Sequence, residues 1–355
     1  VYDEYTSNDD FSKILKIKNL PEPEPRSNEV VFKVISAGLN YDDIWGMRGK
    51  PLAIPLPHIS GTDAAGEVIA VVSDVKNIKI GDRVVSHGNM SCRVCKACTD
   101  GREFDCKKRT IWGFETGPLW GGYCQFTHLP EVNVLKIPEG VSYDQAAAAS
   151  MTLLTSWHML VGRAKIQPGQ IVLIMGGSSG IGTFGIQIAK LYNCDVIATA
   201  SPDKLDKCLE LGADFAVDHR KDDWHKEVRG ISKELAKKKG EAPGIDLSFD
   251  HIGETHWNKQ LQLLKYGATL VSCGATTGYN AQTDLRHVFF KGTNILGSTQ
   301  GTKAELDQGL YWMGQGKIKA AIDSTYTFEQ AVEAHTRMLN GNGMFGKILM
   351  KPEGA

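Results

Sequence analysis

The chain of 355 residues has almost no excess charge of either sign: 40 Lys and Arg stand against 41 Asp and Glu, a net charge of −1. A protein built to hold nucleic acid or an acidic membrane surface needs a basic excess, so neither partner is expected. Long apolar runs are missing as well. None approaches the roughly 20 residues of a membrane span. The first residues, VYDEYTSNDDFSK, are acidic and polar and do not read as a secretory leader. Without a leader, the eight cysteines point to free thiols or metal ligands before disulfides, and the expected compartment is the cytoplasm.

What the chain does have is a hydrophobic share of 42%, enough for two globular domains with real cores. Its organising stretch is residues 170–204, QIVLIMGGSSGIGTFGIQIAKLYNCDVIATASPDK. This reads as a strand (Ile171 to Met175), a glycine-serine turn, a helix with Ile181, Gly185, Ile188, Ala189 and Tyr192 on one face, and a second strand (Val196 to Ala200). Small residues in such a turn let backbone N–H groups approach a pyrophosphate, and the helix N-terminus adds favourable potential. Gly177, Ser178, Ser179, Gly180, Ile181 and Gly182 are therefore the expected dinucleotide contacts.

Residues 1–140 look β-rich, with Val/Ile runs at Val30 to Ile35 and Ala65 to Val72, and read as a partly open barrel. Pro21 to Pro25 is an extended connector. Ser142 and Gln145 have the spacing of a capping box opening an Ala-rich helix. From 170 onward strand–helix alternation continues, with short strands expected at 215–217, 245–249, 269–273 and 294–297, which fits a doubly wound parallel sheet. Ser201 is read as a helix cap with Pro202 at the first position, and Lys237 to Lys239 as a solvated helix end. Thr327 and Gln330 repeat the capping-box spacing, and Lys347 to Met350 reads as a last strand. The expected class is α/β: residues 1–140 and 315–355 form one domain, and 141–314 are inserted into it.

An acidic residue at the end of the second strand of such a sheet accepts the ribose 2′-hydroxyl of NADH. Here that strand ends Thr199-Ala200-Ser201, with no carboxylate. Ser201, Lys204 and Arg220 suit a 2′-phosphate, so NADPH is the expected cofactor. Cys273 to Thr276, at a strand end, would line the nicotinamide, with Cys273 and Ala275 as backbone contacts. Cys92, Cys95, Cys98 and Cys106 follow a C-x-x-C-x-x-C pattern with a fourth cysteine after seven residues. Four thiolates close a tetrahedron and leave no open position, so one structural zinc is expected in a lobe at about 90–110. Cys124, Cys194, Cys208 and Cys273 lack such spacing and read as packed thiols.

A partly open barrel, a four-cysteine lobe and an inserted nucleotide domain together resemble the medium-chain dehydrogenase/reductase superfamily, over essentially the whole chain. The resemblance implies a GroES-like catalytic domain carrying an inserted Rossmann domain. Zinc alcohol dehydrogenases of that superfamily hold a catalytic zinc with a Cys in Ala-Gly-(Ile/Val)-Cys and a His in Gly-His-Glu. This chain has Ala37-Gly38-Leu39-Asn40 and Gly61-Thr62-Asp63, with no replacement ligand visible around Ala149 to Thr152. No catalytic zinc is therefore expected. Carbonyl reduction develops alkoxide charge that the metal offsets, whereas hydride addition to a conjugated C=C gives an enolate that hydrogen-bond donors can stabilise. The emptied site points to alkene reduction.

Asn40 to Trp45, Ile111 to Thr116, Leu153 to Leu160 and Cys273 to Gly278 resemble the crotonyl-CoA carboxylase/reductase and acrylyl-CoA reductase group, which reduces short 2-enoyl-CoA thioesters with NADPH. Carboxylating members hold CO2 with Asn, Phe, Glu and His. Phe114 and Glu115 match two of these; the Asn falls at Asp42 and the His at Thr299. The resemblance thus implies a reductase with little or no carboxylation, and a homodimer or homotetramer. Tyr41 and Glu115 are candidates to donate the proton or hold its water, and Asn40 either donates to the thioester oxygen or bonds to backbone. A quinone or alkenal reductase, a zinc alcohol dehydrogenase with other ligands and a non-catalytic binding protein stand as rivals.

Overall fold

The computed structural model describes residues 1–354. The chain divides into two compact units, Val1–Leu154 together with the chain from Thr302 on, and Thr155–Gly301. The sequence expectation placed the junctions one helix away on each side. The helix at Tyr143–Trp157 lies mostly in the first unit, and that at Lys303–Gly314 wholly in it. Apolar packing draws the second of these there: Gly309 leaves space that Leu153 fills.

The first unit begins with β1 (Glu29–Gly38), β2 (Asp63–Val71), β3 (Arg83–Ser86), β4 (Asn89–Met90), β5 (Thr110–Ile111), β6 (Phe126–Pro130) and β7 (Val134–Lys136). The strand β1 is long enough to change partners. It pairs β2 along one edge, and β6 through Glu29–Lys33 along the other. Bulges between Val31 and Phe32 and between Val34 and Ser36 bend it on the way. Val30, Phe32 and Val34 alternate inward, each fully buried, against Val68, Val84 and Leu129. Burial of each such side chain contributes roughly 1.5–3 kcal/mol. The result is a curled sheet, the partly open barrel expected.

The second unit holds β8 (Ile171–Ile174), β9 (Asp195–Ala200), β10 (Phe215–Asp218), β11 (Ile245–Asp250), β12 (Leu264–Ser272) and β13 (Asn294–Gly297). They form a six-stranded sheet, ordered β10-β9-β8-β11-β12-β13, and every pair is parallel. The order reverses between β8 and β11, which opens a crevice at the strands' carboxyl ends. Ile171, Leu173, Ile197, Val217 and Leu270 fill one face together with Trp224 and Val228. The helix Gly180–Leu191 buries Phe184, Ile186, Ile188 and Ala189.

The chain then returns to the first unit with β14 (Ile322–Thr327) and β15 (Lys347–Lys351), which joins β1 at Ala37 and Gly38. The box at Thr327 and Gln330 forms, and Gly341 closes the following helix in a left-handed conformation. The box at Ser142 forms only by half. Ser142 Oγ accepts from Gln145 N at 3.2 Å, but the Gln145 amide turns away and pairs twice with the Ala320 backbone, at 2.7 and 3.0 Å. Ser201 sits at the cap position without a capping bond. Lys237 to Lys239 end the helix Trp224–Lys239 exposed, as expected, and the Lys239 ammonium pairs with Asp195 at 2.5 Å. No helix among the described residues is long and apolar enough to cross a membrane.

Candidate functional site

In the second unit the glycine-serine turn joins β8 to the helix Gly180–Leu191. Ser179 caps that helix: its Oγ accepts from Gly182 N at 2.9 Å. The first N–H groups of a helix have no acceptor inside it, so those of Gly180 and Ile181 point outward for an anion. Glycine is obligatory at 182, where a Cβ would lie 2.2 Å from the Gly176 carbonyl oxygen. The cradle therefore has the tight backbone approach that a pyrophosphate needs, and these residues fit a dinucleotide.

The neighbouring strand end carries the residues expected at the 2′-position. Ala200 closes β9, and the 3-10 turn Pro202–Lys204 follows Ser201. Arg220 comes to the same turn from the end of β10, 4.0 Å from Asp203 and 3.7 Å from Asp218. Cys273 follows β12 and its N–H bonds Asp250 O at 3.1 Å; burial pushes its thiol up to about 12. Ala275 is exposed on the next stretch, and Thr299 is exposed just after β13.

In the first unit the positions that lack zinc ligands hold a closed polar network. Asn40 caps the helix Tyr41–Arg48. Its Nδ2 donates to Thr62 Oγ1 at 3.0 Å and Asp63 Oδ2 at 2.8 Å, and its Oδ1 accepts from Lys347 Nζ at 2.7 Å. The Lys347 ammonium also donates to Leu39 O at 2.5 Å and Asp63 Oδ2 at 3.1 Å. Both amide hydrogens of Asn40 are thus engaged inside the protein, on side chains and not on the backbone partner expected. Asp43 Oδ2 accepts from Asn40 N at 2.8 Å and from the Tyr123 hydroxyl at 2.6 Å. Burial lifts the Asp43 carboxyl to about 6. Asp42 is lifted well above the carboxylate range by burial, and then by Asp43 and Asp63 beside it.

The cysteine lobe lies in the same unit. Between Ser91 and Cys106 only Glu103 and Cys106 are buried, so burial cannot hold its shape. The sulfurs do. All four lie within 4.8 Å of one another, with Cys92–Cys106 at 3.5, Cys95–Cys98 at 3.6 and Cys92–Cys98 at 4.0 Å. Zinc–sulfur bonds of about 2.3 Å in a tetrahedron set neighbouring sulfurs about 3.8 Å apart. The donors fit that ion.

Residues 26–139 match the model of the alcohol dehydrogenase GroES-like domain, and residues 180–315 that of the zinc-binding dehydrogenases. The crotonyl-CoA carboxylase/reductase of Cereibacter sphaeroides is 30% identical over 349 residues, spanning 91% of this chain and 80% of that protein. The chain belongs to the medium-chain dehydrogenase/reductase superfamily. Within it the likeness runs to the enoyl-CoA reductase group. The quinone oxidoreductase of Homo sapiens is 28% identical over 350 residues, covering 95% of this chain and 94% of that protein. A solved NAD-dependent alcohol dehydrogenase superposes with a TM-score of 0.88 at 35% identity, covering 96% of each chain. Crotonyl-CoA carboxylase/reductase AntE, in complex with NADP, superposes at 0.82 with 25% identity, covering 94% of this chain and 89% of that one.

Among the remaining predicted residues, Tyr41 and Phe114 come together in one apolar cluster with Ile44 and Met47. Phe114 is a core residue, its ring against Gly46. Glu115 folds back on its own turn, its Oε2 accepting from Ile111 N at 2.7 Å. Asp42 is buried, and burial shifts its carboxyl toward the neutral acid form. Lys347, Asp43 and Tyr123 went unnoticed in the sequence. A buried lysine beside the strand end leaves no local pattern, although Asp63 within Gly-Thr-Asp was a signal that a cation must answer it.

Proposed function

We propose that this reductase passes the C4 hydride of NADPH to the β-carbon of a short 2-enoyl-CoA of the acrylyl-CoA or crotonyl-CoA kind, in the cytoplasm and with little or no carboxylation. The observation that carries this is the network at Asn40 and Thr62. A catalytic zinc needs open donor atoms of thiolate, imidazole or carboxylate type. Here an amide and a hydroxyl stand in their places, and the adjacent Asp63 carboxylate is taken up by Lys347 and Asn40. Without a Lewis acid, hydride delivery to a conjugated carbon is the favoured chemistry, because an enolate spreads its charge onto an oxygen that neutral donors can serve.

The enolate takes a proton at its α-carbon. Tyr41 and Glu115 are joined in this role by Asp42, whose carboxyl burial shifts toward the protonated, proton-donating form. The absence of a carboxylate at the end of β9, the approach of Arg220 to the Ser201–Lys204 turn and the NADP bound by a relative all support NADPH. Cys92, Cys95, Cys98 and Cys106 would hold one zinc that braces the lobe and takes no part in a chemical step. The edge strand β13 shows Ile295 to solvent, as the unit does Phe289 and Phe290, which supports a homodimer or homotetramer.

The test is a steady-state screen of enoyl-CoA chain lengths, free alkenals and quinones with NADPH and NADH. Short enoyl-CoA with NADPH should give the highest kcat/KM. A preference for quinones would favour the second reading, which the human quinone oxidoreductase relative keeps in view. Propenoyl-CoA under saturating bicarbonate should yield propanoyl-CoA, and methylmalonyl-CoA as main product would contradict the reading of little or no carboxylation.

A further inference from the structure

Beneath the phosphate-binding turn lies a histidine that the hydride chemistry does not use. His251 follows β11, is 8% exposed, and brings its Nε2 to 3.0 Å from Ser179 Oγ. A serine hydroxyl has one hydrogen and two lone pairs. One lone pair of Ser179 takes the N–H of Gly182, and this bond caps the helix. Its other polar neighbour at hydrogen-bond distance is His251.

The ring is packed into this place. At Gly176, where φ is +60°, an added Cβ would lie 2.9 Å from His251 Nε2 and 3.0 Å from Ile252. At Gly274 an added Cβ would lie 2.9 Å from the His251 carbonyl oxygen, which also accepts from Thr276 Oγ1 at 3.1 Å. Two glycines on two separate segments thus close on one residue. The side chain of His251 touches the turn expected to hold the pyrophosphate, and its backbone touches the stretch expected to hold the nicotinamide. Burial lowers its affinity for a proton, which favours a neutral ring able to accept from Ser179. The charged group beside it is Asp250, whose oxygens are engaged by Gln260 at 2.8 Å and Ser272 at 2.8 Å.

We propose that His251 is a positioning residue for the dinucleotide: it fixes the Ser179 cap, and through that cap the orientation of the N–H groups that receive the pyrophosphate. The hydroxyl of Ser179, held between Gly182 and His251, serves the helix and not the ligand. Anion recognition at this turn then rests on the backbone N–H groups of Gly180 and Ile181. The inference rests on the NADPH reading above and adds to it a residue that lies outside the glycine motif.

A double-mutant cycle on the full chain tests it, read by NADPH fluorescence titration. His251→Ala should raise the Kd for NADPH about tenfold, the scale of losing a helix cap. At saturating NADPH, kcat should change far less. His251→Gln, whose amide can still reach Ser179, should recover most of the affinity. Ser179→Ala should weaken binding to a similar degree, and adding His251→Ala to it should cost little more, because both act through one hydrogen bond. Independent, additive losses, or no recovery with Gln, overturn the proposal even if the histidine variant unfolds at a lower temperature. A wild-type protein that binds neither NADPH nor NADH overturns the cofactor reading and this inference together. Wild-type binding that survives His251→Ala unchanged overturns this inference alone.

Discussion

Lys347 and Asn40 stand 307 positions apart in the sequence, and the ammonium of one lies 2.7 Å from the amide oxygen of the other. Lys347 is almost fully buried, and so is its carboxylate partner Asp63. Removing one member of such a pair leaves the other charge uncompensated, which costs about 3–5 kcal/mol. Lys347→Met should therefore lower the stability of the first unit by that order in urea unfolding. Pairing it with Asp63→Leu should recover part of the loss. A loss in the double variant equal to the sum of the two single losses would show that the pair is not coupled.

The glycine-serine turn allows a prediction whose sign runs against helix propensity. Gly to Ala inside a helix stabilises by about 1 kcal/mol. At Gly182 the new methyl would meet the Gly176 carbonyl oxygen at 2.2 Å. Gly182→Ala should instead lower the melting temperature and weaken NADPH binding at least about tenfold, as read by calorimetry and titration.

Cofactor choice should move with charge at the end of β9. Ser201→Asp introduces the carboxylate that a 2′-phosphate repels, and Arg220→Ala removes a cation near it. Each should lower kcat/KM for NADPH by roughly 10- to 100-fold, a loss of about 1.4–2.8 kcal/mol, and NADH turnover should be little changed.

The four sulfurs predict one zinc per chain by elemental analysis. Cys98→Ser should lose that metal and lower thermal stability. Two zinc ions per chain, the second lost with Asn40→Ala, would instead mark a catalytic metal.

Acid stability should carry the mark of Asp43. Its carboxyl is held at about 6 by burial, above its unfolded value, so the folded state binds the proton more tightly. This contribution favours the fold below the unfolded value and is lost as pH rises through about 6. In Asp43→Asn the decline between pH 4 and pH 7 should be smaller, with the part owed to Asp42 remaining, as checked by urea unfolding at each pH.

Much of this architecture could be read in advance because its signals are local. The buried run Ile171 to Ile174 and the apolar face of the helix Gly180–Leu191 lie within a few turns of one another, and cysteine spacing sets a metal geometry almost alone. The polar network was not legible, since Lys347 meets Asp63 across 284 positions and only the pairing of β15 with β1 brings them together. Gln145 shows the same limit on a smaller scale. Its spacing from Ser142 fits a capping box, but the unpaired backbone at Ala320 competes for the same amide and takes it. Local rules named the partners available to each side chain; packing decided among them.

The direct measurement is to follow the hydride. With NADPH deuterated at C4 and crotonyl-CoA as substrate, the product should be butyryl-CoA with deuterium at its β-carbon, formed in step with NADPH oxidation. Deuterium on a carbinol carbon, or an acyl chain left unlabelled while NADPH is consumed, would contradict alkene reduction as the activity of this chain.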